Sequence, residues 1–194
     1  MEESQLRYAV AGVVLILMVW MAGRSVMLRR SGVPVVQLGA KGNRSQRALI
    51  ALGAILDIYL LARAPYPALD RWVGASASPS GLLALAILLV ASIFIIIAQG
   101  GMGRSWRVGV PSDDGDVEQM VTGGLNRISR NPIYLGIMVF LFGAALAAPG
   151  PLTLAAIVIS FAGLSAIISS EEKYLHERFG DEYDEYARRV RRWI

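Results

Sequence analysis

Residues 133–169 run IYLGIMVFLFGAALAA (133–148), PGP (149–151) and LTLAAIVISFAGLSAIIS (152–169). Two apolar runs without a single charged residue are separated only by Pro149-Gly150-Pro151. Proline fixes φ and has no amide hydrogen to continue a helix, so the triplet ends one helix and begins the next. Each run approaches the roughly 20 residues that cross the hydrocarbon core of a bilayer. The stretch therefore predicts an antiparallel transmembrane hairpin, and the remaining chain reads in the same terms. Three further runs, residues 6–22, 48–64 and 81–98, bring the expected transmembrane helices to five. The first is not read as a signal peptide, because Glu2 and Glu3 stand where a basic segment belongs and no small-x-small cleavage site follows. The fold class expected is an all-α polytopic membrane protein with a helical hairpin and a cytosolic amphipathic helical tail.

Composition supports this and excludes much else. Hydrophobic residues make up 55% of the 194 and charged ones only 18%, against about a quarter charged in an ordinary soluble domain. Apolar content this high has to be buried somewhere, which excludes a disordered chain. There is no cysteine, and His176 is the one histidine. Disulfide frameworks, thiol nucleophiles, Ser-His-Asp triads and histidine metal sites thus lack their residues, and no metal is expected. The net charge of +4 forms no basic stripe interleaved with aromatics, so no nucleic-acid partner is expected either.

Charge placement orients the bundle. Arg24, Arg29, Arg30, Lys41, Arg44 and Arg47 follow the first span with no acid among them, whereas the loop after the second span holds only Arg63 and Arg71 beside Asp70. Basic loops stay cytoplasmic, which places the N-terminus outside and both residues 100–131 and the tail inside. In that tail, residues 170–194, Leu175, Phe179, Tyr183, Tyr186, Val190 and Trp193 recur at helical spacing and form one stripe, interrupted at Gly180-Asp181. Arg188, Arg189, Arg191 and Arg192 with Trp193 suit an interfacial segment on an anionic leaflet.

Several segments offer chemistry. Gly100-Gly101-Met102-Gly103 follows no strand and precedes no Lys-Ser/Thr pair, so it reads as a helix exit rather than a phosphate loop. Asp113, Asp114, Asp116 and Glu118 lack the ligand spacing of a calcium loop and read as solvated. Asp57, midway along the second span, is either a functional acid or one satisfied inside the bundle. Arg130-Asn131-Pro132 marks a helix start, with Asn131 at the N-cap and Pro132 in the first turn, and the free amides there suit a carboxylate. Glu171-Glu172 closes the fifth span, where two acids oppose the helix dipole and call for a cationic partner.

In order, Gly103-Arg104-Ser105-Trp106, Val121-Thr122-Gly123-Gly124, Arg130-Asn131-Pro132-Ile133-Tyr134, Glu171-Glu172 and Phe179-Gly180-Asp181-Glu182-Tyr183-Asp184-Glu185-Tyr186 resemble the isoprenylcysteine carboxyl methyltransferase family. That family stands with the phospholipid methyltransferases among integral-membrane enzymes that use S-adenosylmethionine. The resemblance covers the C-terminal half. It implies one membrane methyltransferase domain over residues 1–194, with three spans in 1–99 and a cofactor-binding half in 100–194. It implies S-adenosylmethionine as cofactor in a cytosol-facing pocket, with Gln119, Met120 and Val121 giving backbone contacts and Asn126 standing where the family usually has Tyr. Asn131, Pro132 and Tyr134 occupy its His-Pro-x-Tyr positions, and Glu171 is the acid near the cofactor's amino group. Glu171 and Arg130 are the implied catalytic pair.

The implied acceptor is a lipophilic small molecule or lipid, methylated on O, N or S, reached from the surrounding membrane lipids. The implied location is the inner or plasma membrane of a bacterium or the endoplasmic reticulum of a eukaryote. Ile167 stands where the carboxyl methyltransferases carry the Arg that holds the substrate carboxylate, with Arg130 and Arg104 the nearest replacements in sequence. A phospholipid N-methyltransferase, whose acceptor amine needs no such Arg, is the alternative enzyme. A membrane structural protein without activity is the alternative outside catalysis.

Overall fold

The structure, a computed structural model, describes residues 1–33, 43–106 and 119–194, with nothing said of the side chains of 43–45 and 104. Lys41 and the acidic run Asp113, Asp114, Asp116 and Glu118 lie outside the described residues, as does the side chain of Arg104. No β-strand occurs among the described residues. Five long helices carry the fold: α1 (Glu3–Arg30), α2 (Asn43–Ala62), α4 (Gly81–Gly101), α5 (Pro132–Ala147) and α6 (Pro151–Phe179). Two short ones accompany them, α3 (Leu69–Trp72) and α7 (Asp181–Arg189). Among the described residues α1, α4 and α6 are long and apolar enough to cross a membrane, and α5 is apolar but only 16 residues long.

Packing closes the five into a ring. α1 packs on α2 and α4, α4 on α5, α5 on α6, and α6 returns to α2. Small residues set the closest approaches. A Cβ on Gly136 or Gly143 of α5 would fall 2.6 Å from Ile95 Cγ1 or 2.9 Å from Leu88 Cγ of α4. The two glycines are one heptad apart and so are their partners, so one groove on α5 receives one ridge of α4. Helices surrounded by lipid gain little from hydrophobic exclusion and rely on such close van der Waals contact. Gly163 of α6 receives Leu49 of α2 in the same way, 2.7 Å from the position a Cβ would take.

The Pro-Gly-Pro hairpin forms as expected and docks on the loop after α3. Ser76 N–H donates to Pro149 C=O at 2.8 Å, and a Cβ on Gly150 would meet the Ala75 Cα at 2.9 Å. Beside it sits a charge cluster that the sequence patterns do not announce. Arg63 has 0% exposure. Its Nε donates to Asp70 at 2.9 Å, its Nη2 to Glu3 and Asp70 at 3.1 and 3.0 Å, and its Nη1 to the Ala147 carbonyl at 3.1 Å. Tyr59 and Arg7 complete the shell of Asp70, both at 2.8 Å. Two acids and two arginines balance, and together they tie α1, α2, α3 and α5 at one end of the ring.

Three sequence expectations need correction. α1 does not stop near residue 22 but continues through Arg24, Arg29 and Arg30, because arginine is a good helix former and cations suit a helix C-terminus. Leu28 of the added turns is buried with Val33 and Trp106. α6 likewise runs on to Phe179, so Glu171 and Glu172 lie about two turns inside it and the dipole at its end does not act on them. Finally, the stripe of the tail faces inward. Gly180 (φ +52°) turns the chain, and Tyr183, Tyr186 and Val190 are buried against Met120, Leu175 and Phe179.

Gly143→Leu should lower the unfolding temperature in detergent, since overpacking a tight contact costs about 1–3 kcal/mol. Gly12→Ala, with open space around its Cβ direction, should leave it unchanged or raised. Burial alone would push Asp70 up, but hydrogen bonds from Arg63 and Tyr59 and the charges of Arg63 and Arg7 hold it below the ordinary value of 3.8. Its contribution is therefore present above pH 3.8 and lost as pH falls through the lowered value. Asp70→Asn should cost about 3–5 kcal/mol at neutral pH by breaking a buried pair, and should flatten the acid limb of an unfolding-temperature profile between pH 2 and 5. An unchanged acid limb would contradict this account of Asp70.

Candidate active site

At the opposite end the ring opens into a cavity of about 500 Å³, lined by all five long helices. The segment 119–131 crosses its mouth. Gly124 (φ +60°) enters a short 3₁₀ turn, Gly124–Arg127, and the Asn126 Nδ2 donates to Val121 C=O at 2.8 Å, closing the loop on itself. Pro132 then opens α5, with Asn131 at the N-cap position. The Asn131 side chain makes no cap. Its Nδ2 donates instead to the Arg192 carbonyl at 3.1 Å, because the tail passes beside it.

Gln119, Met120, Val121, Asn126, Arg130, Asn131, Pro132, Tyr134 and Glu171 all line this one cavity. Glu171 and Tyr134 meet within it: the Tyr134 hydroxyl donates to Glu171 Oε1 at 2.6 Å. Glu172, one position on, also borders the cavity but is taken up by arginines. It accepts from Arg130 Nη2 at 2.7 Å and Arg192 Nε at 3.1 Å, and a further short contact joins it to Arg192 Nη2. The cationic partners expected for the acidic pair thus go to Glu172 alone, while Glu171 keeps a carboxylate facing the cavity with one phenol as its donor.

Arg130 is held from both sides, since its Nη1 also donates to the Ala187 carbonyl at 3.1 Å. Its Nε–H is buried without a hydrogen-bond partner among the described residues. The residue therefore joins the loop, α6 and α7 before it offers anything to a ligand. The tail forms a wall of the cavity through Leu175, Tyr183 and Tyr186. Tyr186 donates to the Asn126 carbonyl at 2.8 Å. Burial, against the opposing charge of Arg130, pushes its hydroxyl up to about 12, so it stays a donor across the physiological range. Backbone and hydroxyl contacts from Arg130 N–H to Arg191 C=O (2.9 Å) and from Ser129 Oγ to Arg192 C=O (3.3 Å) fasten the last residues down. Trp193 stacks on Phe161 of α6, with ring centroids 6.0 Å apart.

Sequence reasoning missed this wall. Its signal was the stripe from Leu175 to Trp193, whose spacing is the same whether a helix covers a leaflet or a cavity. Met102 and Trp106 also line the site. Below the polar mouth the cavity becomes an apolar slot with Ile95, Ile137, Leu164 and Ile167 on its sides, and Asp57 of α2 lines it as well. Ile167 lies one turn before Glu171 on the same face of α6.

Comparison with known proteins places these features in a family. The sequence profile of the phospholipid methyltransferases matches residues 77–182, which contain α4, α5, all of α6, Tyr134, Glu171 and the mouth loop. A probable protein-S-isoprenylcysteine O-methyltransferase of Oryza sativa subsp. indica and one of subsp. japonica are each 29% identical over 107 residues, 55% of this chain and 56% of theirs. The chain thus spans about half the length of the curated relatives it matches. With the profile covering more than half of the residues and the whole of the loop, hairpin and acidic pair described above, the chain belongs to the phospholipid methyltransferase family.

Proposed function

We propose that this protein is an integral-membrane methyltransferase that uses S-adenosylmethionine to methylate a lipophilic acceptor at the cytosolic face. All five long helices cross the membrane in this reading, the N-terminus lies outside, and the chain forms one domain. The observation that carries it is a cavity in which a polar mouth and an apolar slot are continuous. A polar cofactor and a hydrocarbon acceptor need such a junction and are otherwise insoluble in each other's phase.

The residues fit the cofactor. S-adenosylmethionine bears cationic ammonium and sulfonium groups and a carboxylate. Glu171 offers the anion for the amino group, and the backbone of Gln119, Met120 and Val121 with the open first turn of α5 offers amide hydrogens for the polar remainder. When bound, the cofactor supplies a methyl group already activated on positive sulfur. The protein's own contribution is then alignment and exclusion of water. Tyr134 fixes the Glu171 carboxylate. Arg130, besides its catalytic candidacy through the unpaired Nε–H, holds the tail so that Tyr183 and Tyr186 cover the mouth.

The apolar slot favours an acceptor entering from the bilayer. The O-methylation of an isoprenylcysteine named for the rice relatives would bring a carboxylate into this site. Ile167 is apolar, and both Arg130 and Arg192 are engaged with Glu172. An unpaired buried charge costs several kcal/mol, so a neutral or amine acceptor suits the slot better than a carboxylate. This favours phospholipid-type N-methylation as the second reading.

Two experiments test the proposal. Glu171→Gln should weaken S-adenosylmethionine binding by calorimetry at least tenfold, because a charge-assisted contact is worth about 1.5–3 kcal/mol. Glu172→Gln should lower the unfolding temperature by freeing Arg130 and Arg192, with the smaller effect on affinity. Equal losses of affinity would refute the division of labour between the two acids. A farnesylated cysteine analogue should be a poor methyl acceptor for the wild type and a better one for Ile167→Arg. Robust wild-type turnover that the substitution leaves unimproved would show that a carboxylate is held by another group.

A further inference from the structure

Asp57 sits on a helix read as crossing the bilayer, where an ionised carboxylate is among the costliest side chains to leave without a donor. Elsewhere the protein meets this cost internally. Asp70 takes hydrogen bonds from two arginines and a tyrosine, Glu171 one from Tyr134, and Glu172 several from Arg130 and Arg192. Among the described residues no hydrogen bond or ion pair reaches Asp57. Its environment is also specific, because the side chain is half-buried and lines the slot rather than facing lipid. Ser160 of α6 lines the same cavity and likewise makes no hydrogen bond among the described residues.

Their depth follows from helix geometry. Gln46 and Asp57 both line the cavity and stand three turns apart on α2, on the order of 16 Å at the standard helical rise. Ser160 lies three turns from Glu171 on α6 and about one turn beyond Gly163, on the side away from the polar mouth, where Asp57 stands about two turns beyond Leu49. The two helices run antiparallel and pack through Leu49 and Gly163. The slot therefore carries polar groups at both ends, with Leu49, Ile50 and Leu164 among the apolar residues between them.

We infer that Asp57 and Ser160 form a second polar subsite at the membrane-buried end of the acceptor slot, which takes a hydroxyl or ammonium donor at the end of the acceptor remote from the methylated atom. The acceptor is then a two-headed lipophile rather than a plain hydrocarbon chain with one reactive group. A carboxylate at its remote end is repelled. The inference rests on the methyl-transfer reading for which end reacts, and Asp57, unlike Ser160, lies outside the span that the family profile matches.

The experiment uses the full chain in lipid nanodiscs and three probes of equal length: dodecan-1-ol, 1,12-dodecanediol and 12-aminododecan-1-ol. Binding is read from the concentration-dependent rise in unfolding temperature. The wild type should bind the diol and the amino alcohol at least about tenfold more tightly than the mono-alcohol, as expected for a hydrogen bond to a charged group. Asp57→Leu should abolish that ranking. Asp57→Asn, an acceptor without charge, should keep the preference for the diol and lose the advantage of the amino alcohol. Without any probe, Asp57→Leu should unfold at a higher temperature than the wild type, since it removes an unpaired charge. Equal binding of the three probes by the wild type overturns the inference, as does an unchanged ranking in Asp57→Leu or a lower unfolding temperature for it. Calorimetry with S-adenosylmethionine on the wild type and Asp57→Leu separates the two readings. Binding to both at equal affinity supports the remote subsite; no binding to the wild type refutes the methyl-transfer reading, while the probe ranking still decides the subsite.

Discussion

A guanidinium with no exposed surface stands at one end of the helical ring, and the rest of the molecule can be organised from it. Arg63 is tolerable there because each of its nitrogens has an acceptor: two acids drawn from α1 and α3, and a backbone carbonyl of α5. A buried cluster of this kind adds little net stability over a well-packed apolar core, but removing one member leaves the others stranded. It therefore enforces a single arrangement. The ends of the helices near the Pro-Gly-Pro hairpin are pinned to each other, and any opening in the ring is confined to the far end.

The same requirement, that charge among apolar helices must be paired, shapes the far end with a different outcome. Glu172 gathers Arg130 and Arg192 and so brings the mouth loop and the tail together over the cavity. Glu171, its neighbour, is rotated by about 100° on the helix and escapes that clamp. Both acids border the cavity, but one is consumed in construction and the other keeps no cationic partner among the described residues. Close packing at Gly136 and Gly143 keeps α4 against α5 beneath the loop, with Ile95 of α4 at the edge of a slot otherwise lined largely by α2, α5 and α6.

The helices were largely legible in the sequence, because uncharged runs bounded by Pro149-Gly150-Pro151 or Gly180 report local backbone preferences. The acidic pair and the Asn131-Pro132 helix start were recognised through an ordered set of short motifs, and their convergence on one cavity was not derivable from spacing alone. What stayed hidden depends on partners distant in the chain. Arg63 reads as a loop charge until Glu3 and Ala147 are brought to it. The Asn131 amide reads as a cap until the Arg192 carbonyl lies beside it. The stripe of α7 specifies an apolar face without specifying what that face covers. Helix ends were misjudged at Arg30 and Phe179 for a simpler reason. Charged residues stop a hydrophobic run but do not stop a helix.

The placement of Tyr183, Tyr186 and Arg192 over the mouth has a consequence for biogenesis. These residues leave the ribosome after every helix they cover has been made, so the cavity lacks its cover during synthesis. Polar groups on segment 119–131 are then satisfied by water. They exchange it for the carbonyls of residues 187, 191 and 192 only once the tail has folded back. The ring of helices is thus complete before the site exists, and maturation of the site is a late event.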